Sequence, residues 1–214
     1  MLGLMYCHLA RINMRRHDKN NMVKYFKLCY ALMPQLKQTG CVYATWSYLM
    51  DYYLSLKDYD SVKLELDKYL KEILKYKNDY ALSVYYQELG NLYIQKMMYA
   101  TAIKYYLQSL SYGKTARPTN LMMIGQSYML LGDYHKAIEY LERSLKAKTE
   151  LLNTANALTY LGKCYCYIHD KENANRIIRE LGKIKDANPD GHYRKLYYGI
   201  LYYYYTMVDK DKQK

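Results

Sequence analysis

The residues best suited to metal binding or nucleophilic chemistry here are five histidines and five cysteines, and their spacing serves neither. His8, His17, His135, His169 and His192 are scattered, and none forms His-x-x-x-His or His-Glu-x-x-His. Those spacings place two imidazoles on one helix face, where both can reach a zinc ion. Cys7, Cys29, Cys41, Cys164 and Cys166 make an odd count without the pattern of a disulfide framework. Cys164 and Cys166 are two apart on an expected helix, so their thiols point in different directions. All five are read as reduced and structural, since a free thiol packs as a small hydrophobe. No glycine-rich phosphate loop occurs. Acidic residues such as Glu65, Asp67 and Glu72 fall on turns or outer helix faces. No catalytic residue, metal site or cofactor is expected.

What must position any functional residue is a short pattern in six copies. They begin at Tyr6, Trp46, Tyr86, Leu121, Leu158 and Lys195, at spacings of 40, 40, 35, 37 and 37 residues. Self-similarity at this period marks stacked units that bury their apolar faces against their neighbours. In the third copy Leu89, Gly90 and Tyr93 fall on a first helix, and Ala102, Tyr106 and Ser109 on a second. Leu89 and Tyr93 lie one turn apart and face inward together. Gly90 and Ala102 are small enough to let the two helices approach. The fourth copy repeats this with Ile124, Gly125, Tyr128, a Gly132-Asp133 turn, Ala137, Leu141 and Ser144. Gly132 suits a left-handed helix end, Asp133 a helix cap, and Pro118 a first helical position. The fifth gives Leu161, Gly162, Tyr165, a His169-Asp170 turn, Ala174 and Ile178.

These residues resemble the tetratricopeptide repeat, a helix-turn-helix unit with the pattern W-x2-L-G-x2-Y, then A-x3-F, then P. The resemblance spans nearly the whole chain and is strongest in the third to fifth copies. In the second, Trp46, Leu49 and Tyr53 match, but Met50 stands for glycine and Val62 for alanine. In the first, Leu9, Ala10, Phe26 and Pro34 fit, with Asn13 for the tyrosine and Met22 for the alanine. The resemblance implies an all-α fold, a right-handed solenoid of about eleven helices in stacked antiparallel pairs. It would form one array, with units at 3–37, 43–78, 83–115, 118–150 and 155–189 and a half unit at 192–214. The long, tyrosine-rich repeats are similar to those of bacterial regulatory and sensor proteins.

In this family the first helices line a concave groove, and the residue after the glycine faces it. The resemblance therefore implies groove positions at Arg11, Asp51, Asn91, Gln126, Lys163 and Ile200. Neighbouring groove positions are Arg15, Ser47, Gln87, Gln95, Met122, Met129, Thr159 and Tyr167. Amide and charged side chains in a row suit an extended peptide, whose backbone offers donors and acceptors regardless of sequence. A protein or extended peptide is the expected partner. The family's carboxylate clamp is not expected, because Cys7, Ser47, Gln87 and Thr159 stand where its lysines would be sought.

The sixth copy has an expected first helix from Tyr193 to about Val208 and no second helix before Lys214. That helix is apolar almost all round, the mark of a buried helix. Tyr197, Leu201, Tyr204 and Tyr205 are the expected packing surface for a further repeat or domain beyond Lys214, or for a partner. The net charge of +12 sets nucleic-acid binding as the second reading. Tyrosines at inward positions such as Tyr93, Tyr128 and Tyr165 weigh against it, because base stacking needs exposed rings. No stretch approaches the roughly 20 apolar residues of a membrane span. The start, Met1-Leu-Gly-Leu-Met-Tyr, lacks a signal peptide's basic region and long apolar core. A cytoplasmic chain is expected; the alternative is a periplasmic or exported piece of a longer one.

Overall fold

Four of the helical hairpins turn on the same two-residue device, a left-handed residue followed by a helix cap. Lys57, Met97, Gly132 and His169 have positive φ of 56°, 58°, 82° and 58°. Asp58, Met98, Asp133 and Asp170 follow them and precede the next helix. The three aspartates accept a hydrogen bond from the backbone N–H three residues on, at Ser61, Lys136 and Asn173. This satisfies a donor that the first helical turn leaves unpaired. Lys77, with φ 46°, and the cap Asn78 repeat the device at another helix junction.

The computed structural model describes residues 2–16, 18–32, 40–113, 117–147 and 150–208. Among them are eleven α-helices and no strand. In chain order these are α1 (Leu2–Arg15), α2 (Lys19–Ala31), α3 (Gly40–Ser55), α4 (Tyr59–Tyr76), α5 (Asp79–Gln95) and α6 (Tyr99–Tyr112). They continue with α7 (Pro118–Leu130), α8 (Tyr134–Lys146), α9 (Leu151–Tyr167), α10 (Lys171–Ala187) and α11 (Gly191–Val208). The fold is an all-α solenoid class built from helical repeats. Pro34, His17 and the segment after Val208 lie outside the described residues, as does the side chain of Cys41.

The helices divide into two compact units, Met1–Lys96 and Met97–Lys214. In the first, α1 packs on α2 and α3, α2 on α3, α3 on α4 and α5, and α4 on α5. Its core is bulky: Phe26, Trp46, Met50, Val62, Leu66, Tyr69 and Ile73 are all buried. Trp46 of α3 stacks on Tyr69 of α4, with ring centroids 3.8 Å apart and planes 17° apart. Met50 and Val62, the large residues at the small positions of the pattern, are fully enclosed.

In the second unit each helix packs on the next from α6 to α11, and α7, α9 and α11 also pack side by side. Here the small positions stay small. A Cβ added to Gly125 would lie 2.6 Å from Leu141 Cγ and 3.1 Å from the Ala137 carbonyl oxygen, so α7 and α8 meet closely. Ser144 of α8 donates to the Pro118 carbonyl at 2.7 Å, and buried Asn120 donates to Ser109 at 2.7 Å. These polar links satisfy groups that burial would otherwise penalise.

In the sixth copy the residue after the glycine is buried, unlike its counterparts in the other copies. A Cβ on Gly199 would meet nothing within 4 Å, whereas Ile200 is fully buried and its Cδ1 lies 3.0 Å from a Cβ added to Gly162. Ile200 is thus a core residue of the α9–α11 contact and not a groove residue. The physical reason is that the glycine of this pattern faces its own second helix. No described helix follows α11, so the side near Gly199 is open.

Candidate functional site

In the second unit the residue after each close-approach glycine lies on the layer made by α7, α9 and α11. Gln126 of α7 is half-buried, and its Oε1 is buried without a hydrogen-bond partner among the described residues. Lys163 of α9 is half-buried, with its Nζ 4.5 Å from the centroid of the Tyr203 ring of α11. A cation over an aromatic face is held by the ring's quadrupole and keeps its charge available to a ligand. Among the described residues no carboxylate pairs with it.

Tyr167, one turn beyond Lys163, joins the same aromatic group. Its ring stacks on Tyr134 at 4.7 Å and 10°, and meets the Tyr203 ring edge-on at 6.1 Å. Burial first, then charge repulsion by Tyr203 and a hydrogen bond donated to it, raise the Tyr167 hydroxyl above its ordinary pKa. It therefore stays a neutral donor and acceptor around neutral pH. Met129 is half-buried, whereas Met122 and Thr159 are buried, and Met122 belongs to the core of this unit.

Tyr134 and Tyr203 were not marked as site residues by sequence reasoning. Tyr203 stands one turn past Gly199, in a run where every neighbour is also tyrosine or aliphatic, so its type gave no contrast. Tyr134 follows the Asp133 cap and counted as the first residue of a helix.

In the first unit the equivalent residues are less concentrated. The Arg11 guanidinium of α1 lies 5.5 Å from the Tyr48 ring of α3, and Arg15 is exposed. Asp51 is exposed as a residue, yet crowding around its carboxyl desolvates it and raises its pKa. Asn91 of α5 is half-buried and donates to Glu88 Oε2 at 2.9 Å; Glu88 itself is buried. Gln87 is half-buried and Gln95 exposed, the carbonyl of Gln95 accepting from the Tyr59 hydroxyl at 3.3 Å.

Of the four residues expected to pack a further element, Tyr197, Leu201 and Tyr204 are half-buried within the second unit. Tyr197 lies under the Lys185 ammonium at 5.1 Å, and the Tyr204 hydroxyl accepts from Asn175 at 2.8 Å. Tyr205 is exposed together with Tyr198 and Tyr202, a stripe at spacings of four and three.

Elsewhere in this unit a cavity of about 440 Å³ opens between α8, α9 and α10, lined in part by Glu142, Leu158, Arg176, Ile177 and Glu180. Tyr165 donates to Glu142 Oε1 at 2.9 Å; burial, then this hydrogen bond, push its pKa up to about 12. Among the described residues no group of histidine, cysteine and carboxylate side chains could hold a metal ion. No described helix is long and apolar enough to cross a membrane.

The hairpins, their glycine-to-second-helix contacts and the side-by-side first helices define a helical-repeat protein. Residues 83–112 and 116–181 each match a sequence model of the tetratricopeptide repeat. These two stretches carry tetratricopeptide repeats. The fold of the chain is similar to that of TPR-like repeats from a Podosopora anserina protein described as a kinesin light chain. That match has a TM-score of 0.59 and 15% identity, covering 85% of this chain and 93% of that one. It is also similar to pilF of Pseudomonas aeruginosa, with a TM-score of 0.63 and 14% identity, covering 92% of this chain and 79% of that one. No curated protein matches the sequence.

Proposed function

We propose that the protein is an interaction scaffold that holds an extended peptide segment along its first helices. Lys163 and Gln126 would carry most of the recognition in the second unit. The observation behind this is the pairing of the Lys163 ammonium, seated on Tyr203 with no carboxylate beside it among the described residues, with an amide oxygen on the adjacent first helix that has no partner among them. A buried polar group without a partner is costly, so a ligand that supplies one gains affinity there. A peptide supplies both: backbone groups for the Gln126 amide once that side chain turns into the groove, and an acidic side chain or terminal carboxylate for Lys163. Tyr167, Met129 and the Tyr203 ring would give apolar contact, Met129 adaptably. Arg11, Asp51 and Asn91 would play the corresponding part in the first unit. The reading extends to the interaction or sensory segment of a regulatory protein, on the strength of the long tyrosine-rich repeats.

The test is a screen of extended peptides with acidic or free-carboxylate ends by fluorescence anisotropy. For any peptide bound, Lys163→Ala should weaken binding about tenfold or more, the loss typical of an interface anchor. Gln126→Ala should weaken it less, and the exposed-site control Lys104→Ala should leave it unchanged. Equal affinity for wild type and both groove variants would place the peptide elsewhere and defeat the assignment.

A further inference from the structure

The first hairpin lacks what holds the fourth together. Met22 stands where the pattern has alanine, so α1 and α2 do not meet through a pair of small residues. They meet instead through two cysteines. Cys7 of α1 and Cys29 of α2 are buried at 4% and 0% exposure, with their sulfurs 2.6 Å apart. Cys29 Sγ also donates to the Gly3 carbonyl at 3.4 Å, so it lies over the seam one turn along α1 from Cys7. Two thiols in non-bonded or hydrogen-bonded contact stay farther apart than this, and a disulfide brings sulfurs to about 2.05 Å. Cys7 lies in the first half of α1 and Cys29 near the end of α2, two helices that pack on each other, and their sulfurs need close by only about half an ångström to bond.

We propose that Cys7 and Cys29 are a disulfide site that ties α1 to α2 across the seam. The oxidant is a low-molecular-weight disulfide, RSSR. The thiolate of one cysteine attacks a sulfur of RSSR and expels one RS⁻, leaving a mixed disulfide. The thiolate of the other then attacks the protein sulfur of that mixed disulfide and expels the second RS⁻. Two protein thiols lose two electrons and two protons; RSSR gains both and leaves as two RSH. Because both thiols are buried, the reaction proceeds through local opening of α1 from α2. The other described cysteines contrast with this pair. Cys164 and Cys166 lie two residues apart on α9, and burial pushes their thiols up to about 12 and about 11. Pointing in different directions, they cannot close on each other.

The experiment incubates the whole 214-residue chain with oxidised glutathione, then unfolds it and blocks remaining thiols with iodoacetamide. Trypsin releases Cys7 in peptide 1–11 and Cys29 in peptide 28–37. The expected result is these two peptides joined, lighter by two hydrogens than their sum, with Cys41, Cys164 and Cys166 alkylated. The oxidised protein should also unfold at a midpoint roughly 5–10 °C above the reduced one, because the bond closes a loop across a 22-residue separation. Cys7→Ala should abolish that gain. If this variant fails to fold, the peptide masses of the wild-type chain still decide the matter. Five alkylated cysteines after oxidation, or a bond pairing Cys7 or Cys29 with Cys41, would overturn the proposal.

Discussion

The α3–α4 hairpin and the α7–α8 hairpin are the same repeat element built on opposite packing strategies. In α7–α8 the close-approach positions are Gly125 and Ala137, and Leu141 fills the space directly against the glycine backbone. In α3–α4 Met50 and Val62 occupy those positions, and the stacked Trp46–Tyr69 pair spans the two helices. One seam depends on the absence of side-chain volume and the other on its presence. The repeat therefore does not prescribe residue size at a position; it prescribes that the two faces be complementary, at the density of a protein interior.

Opposite substitutions should break the two seams, the larger loss falling on α3–α4. Trp46→Ala removes a fully buried indole from its stack and leaves a cavity, which should cost about 3–5 kcal/mol. Denaturant unfolding gives the magnitude, and hydrogen exchange gives the location. Protection should fall in α3 and α4 and hold in α7 and α8. An equal loss of protection in both hairpins would mean that the two seams are not energetically separate.

Gly125→Ala should cost the other seam about 1–3 kcal/mol, as overpacking does, because the new methyl would stand 2.6 Å from Leu141 Cγ. Adding Leu141→Ala removes the clash, so the double variant should lose less than the sum of the two singles. Gly199→Ala provides the counter-case on α11, where nothing lies within 4 Å. There alanine should stabilise by roughly 0.5–1 kcal/mol through helix propensity alone. Similar losses at Gly125 and Gly199 would show that backbone freedom, and not close approach, is what the glycine supplies.

The turns sharpen the same contrast with smaller effects. Gly132 takes the left-handed conformation without strain, while Lys57, Met97 and His169 take it with a Cβ in the way. Gly132→Ala should cost about 1 kcal/mol, and Lys57→Gly should return about 0.5–1 kcal/mol. Both are read from thermal or denaturant midpoints. A destabilising Lys57→Gly would indicate that the lysine's contacts outweigh its backbone strain.

Much of this contrast was legible in the sequence, because it rests on local chemistry. Gly125, Ala137, Leu141, the Gly132-Asp133 turn and Pro118 each announce their roles by residue type. The left-handed Lys57, Met97 and His169 do not, since no side chain is selected there and the hairpin geometry imposes the conformation. The expectation of Ile200 as a groove residue fails for a related reason. Gly199 matches the pattern, but what decides which residue is buried is the helix on the other side, and Ile200 answers to α9. For the candidate site, Lys163 and Gln126 were expected as groove residues from the family resemblance. Their setting did not: Tyr203 and Tyr134 come from other helices, and their contacts exist only once α8, α9 and α11 are packed. Cys7 and Cys29 are the sharpest case, because two cysteines 22 residues apart carry no signal until two helices fold together.

The smallest effect concerns the charge on the caps. Side-chain hydrogen bonds from Asn21, Ser61, Lys136 and Asn173, followed by the backbone N–H of the same residues, lower the carboxyl pKa values of Asp18, Asp58, Asp133 and Asp170. A carboxyl lowered on folding binds its proton less tightly in the folded chain than in the unfolded one. Its contribution is thus complete above the unfolded value near 3.8 and is lost as pH falls through the folded value. On account of these caps the melting temperature should stay level between pH 7 and about 5 and should decline below about pH 4. Asn78 already caps α5 without a titrating group, accepting from Ala81 N–H at 3.0 Å. Asp58→Asn in the first unit and Asp133→Asn in the second should copy Asn78, keeping the cap and flattening the acid slope. If the slope stayed the same in both variants, the acid sensitivity would belong to other carboxylates, and the hairpin starts in both units would act through geometry alone.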